Sequence, residues 1–175
     1  MKLRWRTSFA TLAVAIGFTA AACGGGSSGG TATVNSGGGG SAAVVSTHSG
    51  PPGTYLTDGK GKTLYMWKAD TTTKSVCSGQ CTQYWPAYTT DGAPTASGSA
   101  KAAMLGTSVR DDGKTQVTYA GHPLYYYSGD QKAGDTNGQG NTNFGNVWWI
   151  VAPNGTAITK KSGGSNGGYG SGYSY

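Results

Sequence analysis

The sequence predicts an all-β fold: two similar antiparallel β units packed as one small domain, between Gly/Ser-rich tails that should be disordered. Three observations predict it. Between Thr54 and Thr159 no long run of apolar residues keeps a helical period, while Thr, Tyr, Trp and Val recur in short runs bounded by Gly, Asp and Pro, the pattern of strands between turns. Leu64-Tyr-Met-Trp-Lys-Ala-Asp70 returns sixty positions later as Leu124-Tyr-Tyr-Tyr-Ser-Gly-Asp130, with Leu, Tyr, an aromatic and Asp in register. That is an internal repeat. Each copy is followed by a tryptophan segment, Tyr84-Trp-Pro-Ala87 in the first and Trp148-Trp-Ile-Val-Ala-Pro153 in the second.

In chain order, residues 1–22 read as an export signal. Lys2, Arg4 and Arg6 precede an apolar stretch from Phe9 to Ala22 that is too short to span a bilayer, and small residues precede Cys23. Thr19-Ala-Ala-Ala-Cys23 resembles the lipobox of bacterial lipoproteins, although Ala20 stands where leucine is commonest. The resemblance implies cleavage before Cys23, lipid (palmitate among the acyl chains) on its thiol, and an extracytoplasmic protein anchored to the cell membrane, or to an outer membrane where the envelope has one. Loss of Lys2, Arg4 and Arg6 takes the formal charge from +6 to +3. The remaining cations are scattered lysines and Arg110, with no basic stripe, so no nucleic-acid partner is expected.

Residues 23–53 are mostly Gly, Ser, Thr, Ala and Val. By composition they form a flexible linker, with a reach of about 30 Å as a Gly/Ser coil. Residues 54–159 hold the tandem-repeat domain, with repeat 1 at about 54–90 and repeat 2 at about 107–155. Thr54 to Thr57 and Lys62 to Trp67 read as a hairpin around Asp58-Gly-Lys-Gly61, and Thr107 to Arg110 with Thr115 to Tyr119 as another around Asp111-Asp-Gly113. Leu124 to Tyr127 and Val147 to Val151 are further strands; Val76 to Tyr84 and Ala100 to Leu105 are the helix candidates. Residues 160–175, rich in Gly, Tyr and Ser, read as a second disordered tail.

In each repeated strand alternate residues share a face, so Tyr65 and Trp67 point one way and Leu64 and Met66 the other. Asp70 falls where the strand should end, where a carboxylate can accept backbone N–H groups of the next turn. Tyr125, Tyr127 and Asp130 take the same parts in the second unit. The other reading is an aromatic ligand platform; duplication favours the structural one, since two like units need the same brace twice.

The doubled Tyr-x-(Phe/Trp/Tyr)-x-x-Asp, Cys77-x-x-x-Cys81 ahead of Trp85-Pro86, and Gly134-Asp-Thr-Asn-Gly-Gln-Gly140 ahead of a Trp-rich strand resemble the secreted-repeat lipoproteins. That family has no assigned function. The resemblance implies place and fold and brings no activity.

With Cys23 under lipid, Cys77 and Cys81 remain, and outside the cytoplasm they should pair as a disulfide. So short a loop stabilises by only about 2 kcal/mol. A redox pair would want Cys-x-x-Cys, and a copper or zinc site would want more soft ligands than His48 and His122. Asp135 and Asn137, with Gly140 at position six, echo a calcium loop, but Asn146 stands where a bidentate Glu belongs; a glycine-rich turn is the competing reading. Asp135, Asn137 and His122 are therefore the metal candidates. Catalysis is not expected: His122 lies in a Gly-His-Pro turn and most aspartates sit beside turn glycines. The functional expectation is a non-catalytic binding or envelope-interaction module without a cofactor, whose partners are the membrane through its anchor and an envelope protein or polymer. The alternative is a small redox or metal-handling envelope lipoprotein, for copper, iron or calcium. Oligomeric state is not legible.

Overall fold

A computed structural model of the chain describes residues 41–160, and its first strand is one that composition hides. The expected signal, Cys23 and all but Lys160 of the expected C-terminal tail lie outside the described residues. β1 (Val44–Gly50) falls inside the segment expected to be linker, and it pairs antiparallel with β2 (Gly53–Asp58) from Val45↔Asp58 to Gly50↔Gly53. The expected linker thus ends before Ala43, not at residue 53. Averaged over thirty residues the segment is Gly and Ser, but Val44, Val45 and Thr47 form a β-branched run. Val45 is fully buried, and Pro51-Pro52 carries the chain round to Gly53.

β2 therefore takes its main partner from upstream. The predicted turn from Asp58 to Gly61 is present, with the Asp58 carboxylate accepting the N–H groups of Lys60 and Lys62 at 2.8 and 2.9 Å. Past it the chain makes a single bridge, Thr57↔Thr63, before diverging. β3 (Tyr65–Trp67) pairs instead with the distant β8 (Trp148–Ile150), antiparallel, Tyr65↔Ile150 to Trp67↔Trp148. After β3 come α1 (Cys81–Tyr84) and β4 (Thr95–Ala96), which runs parallel to β1. β5 (Leu105–Val109), β6 (Thr115–Tyr119) and β7 (His122–Pro123) form a second three-stranded sheet, including the second predicted hairpin. The helix candidates shrink to α1 and one 3-10 turn, Ala102–Met104. The expected Leu124 to Tyr127 strand is two isolated bridges at Tyr125, to Tyr65 and to Ala87.

Those bridges reveal the repeat. Tyr65 and Tyr125 exchange backbone hydrogen bonds at 2.9 and 3.0 Å, so a local two-fold passes between them. Ile150 meets Tyr65 as Ala87 meets Tyr125. Alternation then sorts the core into two halves: Leu64, Met66 and Leu124 join Leu56, Val117 and Val151 in a cluster that is mostly aliphatic, with Tyr88 and Tyr119, while Tyr65, Trp67 and Tyr125 join Trp85, Trp148, Ile150 and the cysteines in a mostly aromatic one.

Candidate functional site

At the two-fold, each repeat supplies the tyrosine and the other supplies the acid. Tyr65 donates its hydroxyl to Asp130 Oδ2 at 2.6 Å, and Tyr125 donates to Asp70 Oδ2 at 2.5 Å. The second oxygen of each acid holds its own loop: Asp70 Oδ1 accepts the Val76 N–H at 2.8 Å and Asp130 Oδ1 the Asn137 N–H at 2.9 Å. All four residues are buried. Each carboxylate thus ties a loop to the opposite repeat's strand, and it can do so because an ionised carboxylate is all acceptor.

Burial raises both carboxyl groups above the ordinary range, against the lowering effect of the tyrosine and backbone donors. Burial and the neighbouring carboxylates hold Tyr65 and Tyr125 protonated far into alkali. A pH dependence follows. A carboxyl whose folded pKa exceeds its unfolded value of about 4 binds more protons when folded, so its contribution is complete below that value and is lost as pH rises through the raised one. His122, lowered by burial and then by Lys68, acts oppositely, since its contribution is lost as pH falls. In a His122→Gln background, urea midpoints are therefore expected to fall from pH 4 to pH 7; a rise would mean that the hydrogen bonds outweigh desolvation.

Around this centre the rings stack. Trp148 lies between Trp85, centroids 3.9 Å apart and parallel, and Trp67, at 4.8 Å and 4°. Tyr127 packs on Trp85 at 4.5 Å. Gly138 fits because it has no side chain: a Cβ there would lie 2.8 Å from the Trp85 ring and 3.0 Å from the rings of Tyr65 and Tyr127.

Cys77 and Cys81 form the disulfide, with Cα atoms 5.4 Å apart at the start of α1. Sequence reasoning missed what holds it. Arg110 donates to the Cys77 carbonyl at 2.8 Å, to Ser75 Oγ at 2.9 Å and to Gln116 Oε1 at 2.8 Å. The Ser75 hydroxyl in turn donates to the Tyr125 oxygen at 2.6 Å, since the single Tyr125 proton goes to Asp70, and Gln116 donates to the Leu124 carbonyl. Arg110 thus joins the disulfide loop to the two-fold centre. Its one legible signal was being the sole arginine beyond the signal segment.

The metal candidates lie apart. Asp135 Oδ2 accepts the N–H groups of Gln131 and Lys132, each at 2.9 Å, closing a turn. Asn137 serves Asp130 and donates its amide to the Gly129 carbonyl. His122 lies on β7. Among the described residues no three His, Cys, Asp or Glu side chains converge.

Two like β units that exchange tyrosine hydroxyls across a local two-fold make a tandem-repeat all-β domain. The chain belongs to the family of secreted repeats of unknown function, matched at residues 46–89 and 106–152. The two matches coincide with the two interlocked units, and a secreted family places the domain outside the cytoplasm. Neither a curated protein nor a solved structure matches the chain.

Proposed function

We propose that this domain is a non-catalytic binding module of the cell envelope, held to the membrane by lipid on Cys23. The observation that carries the reading is the reciprocal brace. Both carboxylates and both hydroxyls of the repeated motif are engaged with each other and with backbone, so the motif works as scaffold and the outer surface is left to meet partners. The disulfide supports the same reading: Cys77 and Cys81 are 2% and 4% exposed, whereas a working redox pair needs access for the attacking thiolate.

Two measurements on the acylated protein test this. Membrane fractions are expected to retain the intact chain and to release the Cys23→Ser variant; retention without lipid on the mature N-terminus would remove the anchor. Thiol titration is expected to find a fully oxidised pair resistant to glutathione. Ready cycling would favour a redox lipoprotein instead.

A further inference from the structure

Tyr84 and Phe144 come from opposite repeats and lie together at the surface. Their ring centroids are 5.9 Å apart, tilted by 51°, and the residues are 43% and 39% exposed. Large apolar side chains exposed among the described residues number four, and these two form a pair.

Phe144 holds its place against its own backbone. Its φ of 65° and ψ of 27° put it in the left-handed region, rare for a bulky L-residue. The loop cannot relax freely, because the carbonyls beside it are in use: Asn143 accepts the Trp148 indole N–H at 3.1 Å and Asn146 that of Trp67 at 3.2 Å. Tyr84 ends α1, which begins at the disulfide, and its carbonyl accepts the Ser128 N–H at 2.8 Å. A strained aromatic pinned to a rigid core and left half in water is the kind of outlier from which a binding role is argued.

The surrounding chemistry selects the ligand. The segments that carry the pair, residues 75–90 and 136–159, contain no Asp, Glu, Lys or Arg. They offer exposed uncharged groups instead: Gln80 one helical turn before Tyr84, Gln83, Thr142 and Asn143. Amides both donate and accept, as sugar hydroxyls do, and aromatic faces carry the partial negative charge that suits the polarised C–H face of a pyranose. Neither segment itself carries a counter-charge for a charged polymer or lipid headgroup, and the charges that other segments bring beside α1, Arg110, Asp112 and Lys114, gather at Thr82 and are of both signs. Two rings also fall far short of the roughly 800 Å² that each partner buries in a stable protein interface.

We propose that Tyr84 and Phe144 form a stacking ledge for a neutral envelope polysaccharide. The inference rests on the binding-module reading and names the ligand class and place for it.

Affinity electrophoresis of the intact chain in native gels tests it, using the uncharged, protease-treated polysaccharide fraction of the source cell wall as probe. The wild type is expected to be retarded, and Tyr84→Ala and Phe144→Gly to lose at least tenfold in affinity, with Val109→Ala unchanged. Phe144→Gly is also expected to keep or raise the melting temperature, because glycine adopts that φ without strain; a phenylalanine kept for packing would lose stability and leave retardation intact. Retardation surviving both substitutions would overturn the ledge. An unretarded wild type that still captures an envelope protein would overturn the glycan while leaving the binding module standing. Binding to no envelope fraction would overturn both.

Discussion

Replacing Tyr65 with Phe is expected to lower the unfolding free energy by about 2–3 kcal/mol, and Tyr125→Phe by a similar amount. The ring stays, so the apolar burial stays; what goes is the one hydroxyl that satisfies Asp130 Oδ2 or Asp70 Oδ2. Each acid is buried, and a buried charged acceptor stripped of its donor costs its full desolvation, more than the roughly 1 kcal/mol of an ordinary hydrogen bond. Equal losses from two positions sixty residues apart are the signature of the two-fold exchange. Urea titrations of the two variants should show lowered midpoints at unchanged slope. Adding Asp130→Leu to Tyr65→Phe should cost less than the sum of the single changes, because the interaction can be lost only once. Losses under 0.5 kcal/mol at either tyrosine would mean that water replaces the hydroxyl and that the exchange does not hold the repeats together.

Much of this centre was legible in the sequence, and the rest has physical reasons for being hidden. Period-two alternation placed Tyr65 and Trp67 on one face and Leu64 and Met66 on the other, and the structure sends those pairs into separate clusters. The repeat found both acids. Which tyrosine meets which acid was not readable from alternation, which assigns faces but not partners. A distance argument comes close: at about 3.3 Å per residue, an extended run from Tyr65 to Asp70 would span roughly 16 Å, beyond a tyrosine's reach, so the acid had to come from elsewhere. β1 escaped because its β-branched run is short against the glycine-rich stretch before it. The hairpin expected between β2 and β3 failed for a related reason: a turn signal at Asp58 to Gly61 fixes the bend but not how far pairing continues beyond it, and β8 outcompetes β2 for Tyr65–Trp67. Arg110 was visible as a singular residue, but its targets, a cysteine carbonyl and Gln116, lie on loops and strands that only the fold assembles.

Trp148→Ala is expected to be the most damaging single change, removing about 4–6 kcal/mol and leaving the domain largely unfolded at 37 °C. Truncating a buried Trp costs about 3–5 kcal/mol through lost transfer energy and the cavity left behind, and each aromatic pair adds about 0.5–1.5 kcal/mol. Trp148 is fully buried with Trp85 against one face, Trp67 against the other and the edge of Tyr125 at 5.1 Å. Its indole N–H also holds the loop at Asn143. The cavity would open between the repeats, where collapse is resisted by the backbone bonds of β3 to β8 and by the two carboxylate braces, so little of the loss can be recovered. Set against a total of about 5–15 kcal/mol for a domain of this size, that loss takes up from about a quarter to all of the stability. Trp67→Ala is the informative comparison: it unstacks one face and frees the Asn146 carbonyl, but it lies at the end of the stack and should cost less, about 3 kcal/mol. Near-ultraviolet circular dichroism of the tryptophans, followed through thermal melts, separates the cases. The expected order is wild type, then Trp67→Ala, then Trp148→Ala with little tertiary signal at any temperature. A Trp148→Ala variant that melts within about 5 °C of the wild type, roughly 1 kcal/mol for a domain this small, would show that the two units are held together by their sheets and braces alone and that the ring stack merely fills the space between them.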